Sequence, residues 1–510
     1  MKNNVLFVLF FLSGILGFSQ EKKYFFIGFT DKGTETYQPL ECLSARAWLR
    51  YQKNNISFTA EDYPVSLAYT DSVNDYNVTI LYQTKWLNGL IVTMSDTLID
   101  DIQAYSFVDT IKYIGRKAVS SKPNVKIFSK PQSAATDEII ARKNLLGIDA
   151  VQTAGYDGSG VLIAVIDDGF MGVNTLNHFA HLDIVETYDY VANQVDVYHT
   201  DDHGTRALGG IGGKLDTLSL GGAPNASFAL YLSENFNEEQ PVEMYYWVVA
   251  AERADSIGAN LINTSLGYVD FDAPFGTYSY QDYDGETIPI SIGANIASQK
   301  GIVVVISAGN WGNKPWKYVG SPADAKGVIA VGAVDLNKNK GNFSSIGPTA
   351  DGRIKPDICG VGVATYTINR NGALQAGNGT SYAGPQVTGL LAQLIQYHPQ
   401  YTAQQIKDLL LQSAHQYNHP DNLLGYGVPD ITTVLTGIEA SIISQEIYLD
   451  INLKFNHKVQ HCQVYTLTGK NIFSASDVGE LNLAKEGVYI VHYTYKDKFY
   501  TQKIVQHKVK

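Results

Sequence analysis

Thiols are scarce in this chain, with three Cys in 510 residues. Cys42, Cys359 and Cys462 lie far apart and form no C-x-x-C pair, which excludes a disulfide framework and a structural zinc site. Each is expected as a small buried hydrophobe. Proline is sparse as well, 16 against 46 glycines, and only 17% of residues are charged while 45% are hydrophobic. That balance excludes collagen, coiled coil and wholesale disorder. Basic residues are outnumbered, 38 Lys and Arg against 50 Asp and Glu, for a net charge of −12. Such a chain is poorly built to grip a phosphate backbone, so no nucleic-acid partner is expected. Beyond the first twenty residues no run reaches the ~18 consecutive apolar residues of a membrane span.

At roughly 150 residues per domain, the length suggests about three units. Lys2 followed by the apolar run Val5 to Phe18 and the small residues before Gln20 is the pattern of a secretory signal peptide, expected over 1–19. Residues 20–118 read as a small α+β domain. Tyr24–Phe29, Val78–Tyr82 and Leu90–Met94 carry strand signals, the last two flanking the hairpin dipeptide Asn88-Gly89. Ser44–Gln52 and Thr97–Tyr105 carry helix signals, Thr97 as a cap, and Phe107-Val108 and Ile111–Ile114 close the unit. The alternation at this size predicts a ferredoxin-like sandwich. Ser, Lys and Pro dominate 119–136, a linker. Residues 137–438 alternate near-continuous apolar runs (Val161–Ile166, Phe228–Leu232, Asn260–Asn263, Ile302–Ile306, Val328–Val334) with helical stretches such as Pro241–Ser256 and Ile290–Gln299. This predicts a doubly wound α/β domain with a mainly parallel sheet. Thr402 and Gln405 form a capping box for a helix reaching about Ser413. Residues 439–510 return to short strand patterns with turns at Gly469 and Gly487, a small all-β sandwich.

Four segments of the α/β domain each supply one part of an acyl-transfer site: a nucleophile, a base, an orienting acid and oxyanion donors. Val165-Ile166-Asp167-Asp168-Gly169 puts a carboxylate at the carboxyl end of a buried strand, where open α/β sheets place their sites. Asp167 and Asp168, as neighbours, are expected to point apart. His203-Gly204-Thr205 opens a helix whose dipole favours a neutral imidazole, suited to a general base. Ser307-Ala308-Gly309-Asn310 ends a strand with an amide that can face an oxyanion. Gly379-Thr380-Ser381 precedes an apolar helix, leaving the Ser381 N–H free. Taken singly, these residues read equally as a helix cap, a surface histidine, a loop asparagine and an N-cap serine. The run Gly209–Gly213 lacks the G-x-G-x-x-G spacing of a dinucleotide loop.

D-x-G, H-G-T, S-A-G-N and G-T-S-x-A-x-P in this order resemble the subtilisin family (S8) of serine peptidases, and the resemblance extends along 145–435. It implies a secreted endopeptidase that hydrolyses peptide bonds in proteins through an acyl-enzyme. In it Ser381 is the nucleophile, His203 the base, Asp167 its orienter, and Asn310 with the Ser381 N–H the oxyanion hole. Ser265-Leu266-Gly267 would pair with substrate backbone, and Gly320 would floor the first specificity pocket, with Pro322 after a cis bond. Room above Gly320 and the lack of nearby charge predict large apolar residues before the cut bond. Tyr382 stands where the family usually has Met, Asp168 where it has Thr or Ser, and Val361 where it has Pro. A second carboxylate at Asp168 is expected to raise the pKa of neighbouring groups. The segment Gly212–Leu220 does not match the family's calcium loop, so no metal and no cofactor are expected.

The flanking segments resemble parts of the same enzymes from Bacteroidetes. Residues 20–118 are similar to the family's inhibitory propeptides, which implies a zymogen inhibited by its own N-terminal domain. The tail, with Val464–Lys470 and Glu486–Val491, resembles the type A sorting domain of type IX secretion. This implies export through the periplasm to the surface or medium, with that machinery as a partner and the enzyme as a monomer. Two alternatives stay open: a serine esterase using Ser381 with His398, His415 or His419, and a catalytically inert surface binding module.

Overall fold

The computed structural model describes residues 23–76, 78–116, 132–235, 237–433, 454–466, 471–481, 483, 487–495 and 498–506. The expected signal peptide at 1–19 and the turn at Gly469 lie outside them, as does most of the expected linker. The chain divides into two compact units, Met1–Thr432 and Thr433–Lys510.

The first unit begins with β1 (Lys23–Phe29), α1 (Pro39–Cys42), α2 (Ala45–Lys53), α3 (Leu67–Asn74), β2 (Thr79–Thr84), β3 (Gly89–Met94), α4 (Ile99–Gln103) and β4 (Val108–Arg116). The strands form an antiparallel sheet in the order β2-β3-β1-β4. Side chains of a strand alternate between faces, and both faces of β1 are covered. Phe25, Ile27 and Phe29 pack with Val73, Leu90 and Ile102 in the module's own core. Phe26 faces the other way and joins Trp86, Ile91 and Ile114 in the core of the α/β body. Ser44 caps α2, its Oγ accepting from the Ala47 N–H at 3.1 Å. Thr97 is not the cap expected of it: Ser95 Oγ accepts from the Thr97 N–H, and a 3-10 turn at Asp96–Leu98 precedes α4.

The α/β body continues with α5 (Gln132–Leu145), which begins inside the segment expected as linker, and α6 (Ile148–Thr153). Next come β5 (Leu162–Asp167), β6 (Asp183–Asp189), α7 (His203–Gly212), the ribbon β7 (Lys214–Leu215) and β8 (Leu218–Ser219), and β9 (Ser227–Leu232). The chain proceeds through α8 (Val242–Ile257), β10 (Leu261–Thr264), α9 (Pro289–Gln299), β11 (Val303–Ser307), β12 (Ile329–Val334) and β13 (Ile358–Val361). A hairpin of β14 (Thr365–Ile368) and β15 (Leu374–Gly377) leads to α10 (Thr380–Tyr397) and α11 (Ala403–Gln412). Seven strands make one parallel sheet in the order β13-β12-β11-β10-β5-β9-β6. Every residue of β5, β10, β11, β12 and β13 is buried, as a sheet covered on both faces requires. The glycines of Gly209–Gly213 sit in close packing: a Cβ on Gly210 would meet the Pro385 side chain of α10 at 3.1 Å, and one on Gly212 the Ala223 carbonyl at 2.9 Å.

Register brings the carboxyl ends of four central strands into a row. Asp167 pairs with Leu232, Ile166 with Thr264, and Thr264 with Ile306. The residues that follow each strand therefore open onto one edge, the usual site of function in such sheets.

The second unit contains β16 (Lys454–Thr466), β17 (Asn471–Glu480), β18 (Gly487–Tyr495) and β19 (Lys498–Gln506), antiparallel in the order β17-β16-β18-β19. Val459, Cys462, Val464, Val491 and Tyr493 make its own apolar cluster. Among the described residues the expected sandwich is represented by this one sheet.

Candidate active site

Asp167 closes β5 and is fully buried, and His203 opens α7 across the cleft. The His203 Nδ1–H donates to Asp167 Oδ1 at 2.7 Å, and the same oxygen accepts the Asp168 N–H at 3.0 Å. Asp201 Oδ1 accepts from the backbone N–H groups of Asp202 at 2.6 Å and His203 at 3.0 Å, which fixes the first turn of α7. Ser381 is the second residue of α10, beyond Gly379, which gives the helix no side-chain cap. Asn310 follows β11. Its Oδ1 accepts from the Thr380 N–H at 2.9 Å and from Thr380 Oγ1 at 3.2 Å. With the oxygen held there, Nδ2 is left as the donor available to the cleft. Ser265 Oγ lies 3.5 Å from the Ser381 carbonyl, and Thr388 Oγ1 donates to Asn263 Oδ1 at 2.8 Å, tying the end of β10 to α10.

One cleft of about 380 Å³ gathers Asp167, Asp168, His203, Ser265, Leu266, Gly267, Asn310 and Ser381. No hydrogen bond joins Ser381 Oγ to His203 among the described residues. Gly320 is the exception among the expected site residues. It is buried and does not line the open cleft, because the indole of Trp311 covers it. His398, His415 and His419 do not line the cleft either. His398 stacks on Tyr401, and His415 Nδ1 accepts the Val428 N–H at 2.8 Å. An esterase pairing one of them with Ser381 has no geometric support.

The cleft is strongly acidic. Asp168 was expected to point away from Asp167, yet one oxygen of each lies within 4.8 Å of the other and of a His203 nitrogen. Strand alternation ends at Asp167, and Gly169, at φ +150°, turns the chain immediately after Asp168. Burial drives the Asp168 carboxyl well above its ordinary range, and the neighbouring Asp167, Asp201 and Glu234 charges add to this against His203. Burial pulls the His203 imidazole down, but Asp167, its hydrogen bond and the Asp168 charge outweigh that and bring it up to about 10. The expectation that the helix dipole keeps His203 neutral is overturned by these two carboxylates.

Glu234 is a cleft residue that the sequence reading passed over. It lies two residues past β9 and accepts the Tyr268 hydroxyl on both oxygens, at 2.6 and 2.7 Å. Burial raises it to about 7 against those hydrogen bonds. The signal that singled out Asp167, a carboxylate at the end of a buried parallel strand, was present there too.

Residues 158–427 match the Subtilase family (Peptidase S8), and residues 24–133 match the Peptidase S8 propeptide domain of Bacteroidota. Among curated relatives, Subtilisin DY of Bacillus licheniformis is 32% identical over 274 residues, covering 53% of this chain and 89% of the relative. Subtilisin E of Bacillus subtilis strain 168 is 30% identical, covering 52% of this chain and 63% of the relative. Among solved structures, the epidermin leader peptide processing serine protease of Staphylococcus aureus superposes with a TM-score of 0.56 at 19% identity, covering 82% of this chain and 98% of that one.

Proposed function

The chain belongs to the subtilase family, and as a serine-type peptidase of that family, we propose, it cuts proteins internally with Ser381 as nucleophile, His203 as base and Asp167 as orienter. The observation that carries this reading is the 2.7 Å bond from His203 Nδ1 to Asp167 Oδ1 in the cleft that Ser381 and Asn310 also line. Asp167 holds Nδ1 protonated, so Nε2 is the nitrogen left to take the Ser381 hydroxyl proton. Oγ then attacks the scissile carbonyl carbon, and the oxyanion that forms is met by Asn310 Nδ2 and the Ser381 N–H. His203 returns the proton to the leaving amine, and water hydrolyses the acyl-enzyme by the same exchange in reverse. The Ser381–His203 contact tightens when substrate occupies the cleft, as catalytic hydrogen bonds loose in the free enzyme do. Substrate backbone pairs along Ser265-Leu266-Gly267.

The β2-β3-β1-β4 module supports the ferredoxin-like reading, and we assign it the role of inhibitory propeptide. The N-terminal apolar run and the tail support an exported enzyme whose partners include the type IX machinery. The test is fluorophosphonate labelling together with peptide hydrolysis. Wild type is labelled and active, and Ser381→Ala loses both while keeping its melting temperature. Labelling of Ser381→Ala at the wild-type level would overturn the assignment.

A further inference from the structure

Three glycines converge on one aromatic ring. A Cβ on Gly320 would stand 2.8 Å from Trp311 Cζ3 and 3.0 Å from Cη2. A Cβ on Gly267 would lie 3.6 Å from Cη2, and one on Gly309 would overlap Cζ3 and Cε3 outright. The leading edge of the indole is therefore inserted between the Gly309 and Gly320 backbones, where a Cβ would collide with it, and rests in van der Waals range of Gly267. The inserted ring does not hang on a loose loop. The Trp311 N–H donates to Ser345 Oγ at 3.0 Å, and the Ser345 N–H donates to the Gly309 carbonyl at 3.0 Å. Trp311 is half-buried, packs against the main core, and shows its remaining surface to the cleft beside Gly267 and Asn310.

We propose that Trp311 fills the pocket that would take the side chain before the cut bond, so that the enzyme selects substrates with glycine or alanine at that position. This rests on the reading of Gly320 and Ser265–Gly267 as the walls of that pocket. It reverses the expectation of large apolar residues, which counted the space above Gly320 without the ring that occupies it. A phenyl or leucyl side chain could enter only by expelling the indole from its seat between Gly309 and Gly320. A methyl group needs no such displacement. One methylene in an apolar pocket changes kcat/KM by about 10–200-fold, so a whole ring is ample for strong discrimination.

The test profiles full-length protein, matured as it is produced, on a peptide library, with cut sites read by mass spectrometry. Wild type is expected to cut after Gly and Ala at least tenfold faster than after Phe, Tyr or Leu. Trp311→Ala should reverse the order, with kcat/KM for Phe or Leu substrates rising above that for the Ala substrate. Trp311→Phe, a smaller ring, should fall between. If Trp311→Ala does not fold, the wild-type profile and Trp311→Phe still decide the question. A wild type that cuts after Phe or Leu as readily as after Ala overturns the proposal. So does an unchanged preference in the variants. Ser381→Ala is run alongside: if it keeps the cleavage, the nucleophile assignment has failed, whereas its inactivity with a large-residue preference in wild type condemns only the role of Trp311.

Discussion

The His203 imidazole stands between burial, which favours its neutral form, and two carboxylates, which favour the cation and prevail. A general base must be neutral, and below its pKa the neutral fraction falls tenfold per pH unit. The acid limb of kcat/KM is therefore expected well above the ordinary histidine value of about 6.5, toward the alkaline range. Asp168→Asn removes a negative charge beside the ring, disfavours the imidazolium, and should move that limb to lower pH. A pH–rate profile of both proteins checks this, and coincident limbs would sink it. The shift also sets a stability window. Because the folded-state pKa is raised, the contribution is fully present below about pH 6.5 and is lost as pH rises through about 10. Melting temperatures of Ser381→Ala should fall across that window. Asp167, His203, Asn310 and Ser381, which we propose as the machinery, were legible as candidates because each lies in a short motif at or just past the end of a strand or at the start of a helix. Trp311 could not be, since nothing in one dimension places residue 311 over Gly267 and Gly320.

Two carboxylates of α8, Glu252 and Asp255, hold the N-terminal module. Glu252 accepts from Thr84 Oγ1 at 2.5 Å and from the N–H groups of Lys85 and Trp86, each at 3.0 Å. Lys85 Nζ pairs with Asp255 at 2.9 Å, and Arg50 pairs with the same carboxylate and donates to the Ala259 carbonyl at 2.7 Å. Glu252→Ala would leave the buried Trp86 N–H unpaired, at a cost of about 1–3 kcal/mol, and would remove the acceptor of the part-buried Lys85 N–H as well. Inhibition by the separately added module, which has its own core, should weaken at least tenfold. Equal inhibition constants for wild type and Glu252→Ala would show that this contact does not hold the module. The central strands were legible within a residue or two because continuous apolar runs leave little choice of register. Sheet-edge β6, with Asp183, Glu186 and Asp189 among seven residues, carries no such run and gave no signal. Helix α5 was masked by the Ser, Lys and Pro residues that precede it, which read as linker. Its acid and base pair, Glu138 with Arg142 at 3.1 Å, is a helical i,i+4 contact that composition alone does not reveal.

Length suggested about three units, yet the contacts give two, because the N-terminal module shares its second sheet face with the α/β body through Phe26, Trp86, Ile91 and Ile114. The tail differs in this respect. Its described apolar residues, from Phe455 to Tyr493, close on one another. Its nine Lys against six Asp and Glu over 440–510 oppose the net −12 of the chain. None of the proposed catalytic groups lies in it. A unit with its own core, its own charge and no part in the chemistry is suited to being read by another machine. Each unit has an apolar cluster of its own, so enzyme lacking residues 439–510 should keep its melting temperature within about a degree, the shift that a loss of about 1 kcal/mol produces in a unit of this size. It should also keep its peptide hydrolysis. What should change is where the enzyme is found. The N-terminal run alone would deliver it only to the periplasm, where it should accumulate in place of the surface or medium. Fractionation of cells expressing the full and truncated chains, with peptidase activity measured in each fraction, decides the matter. Normal amounts of truncated enzyme in the medium would remove the sorting role from the tail. An unstable truncated enzyme would show instead that the second unit supports the first.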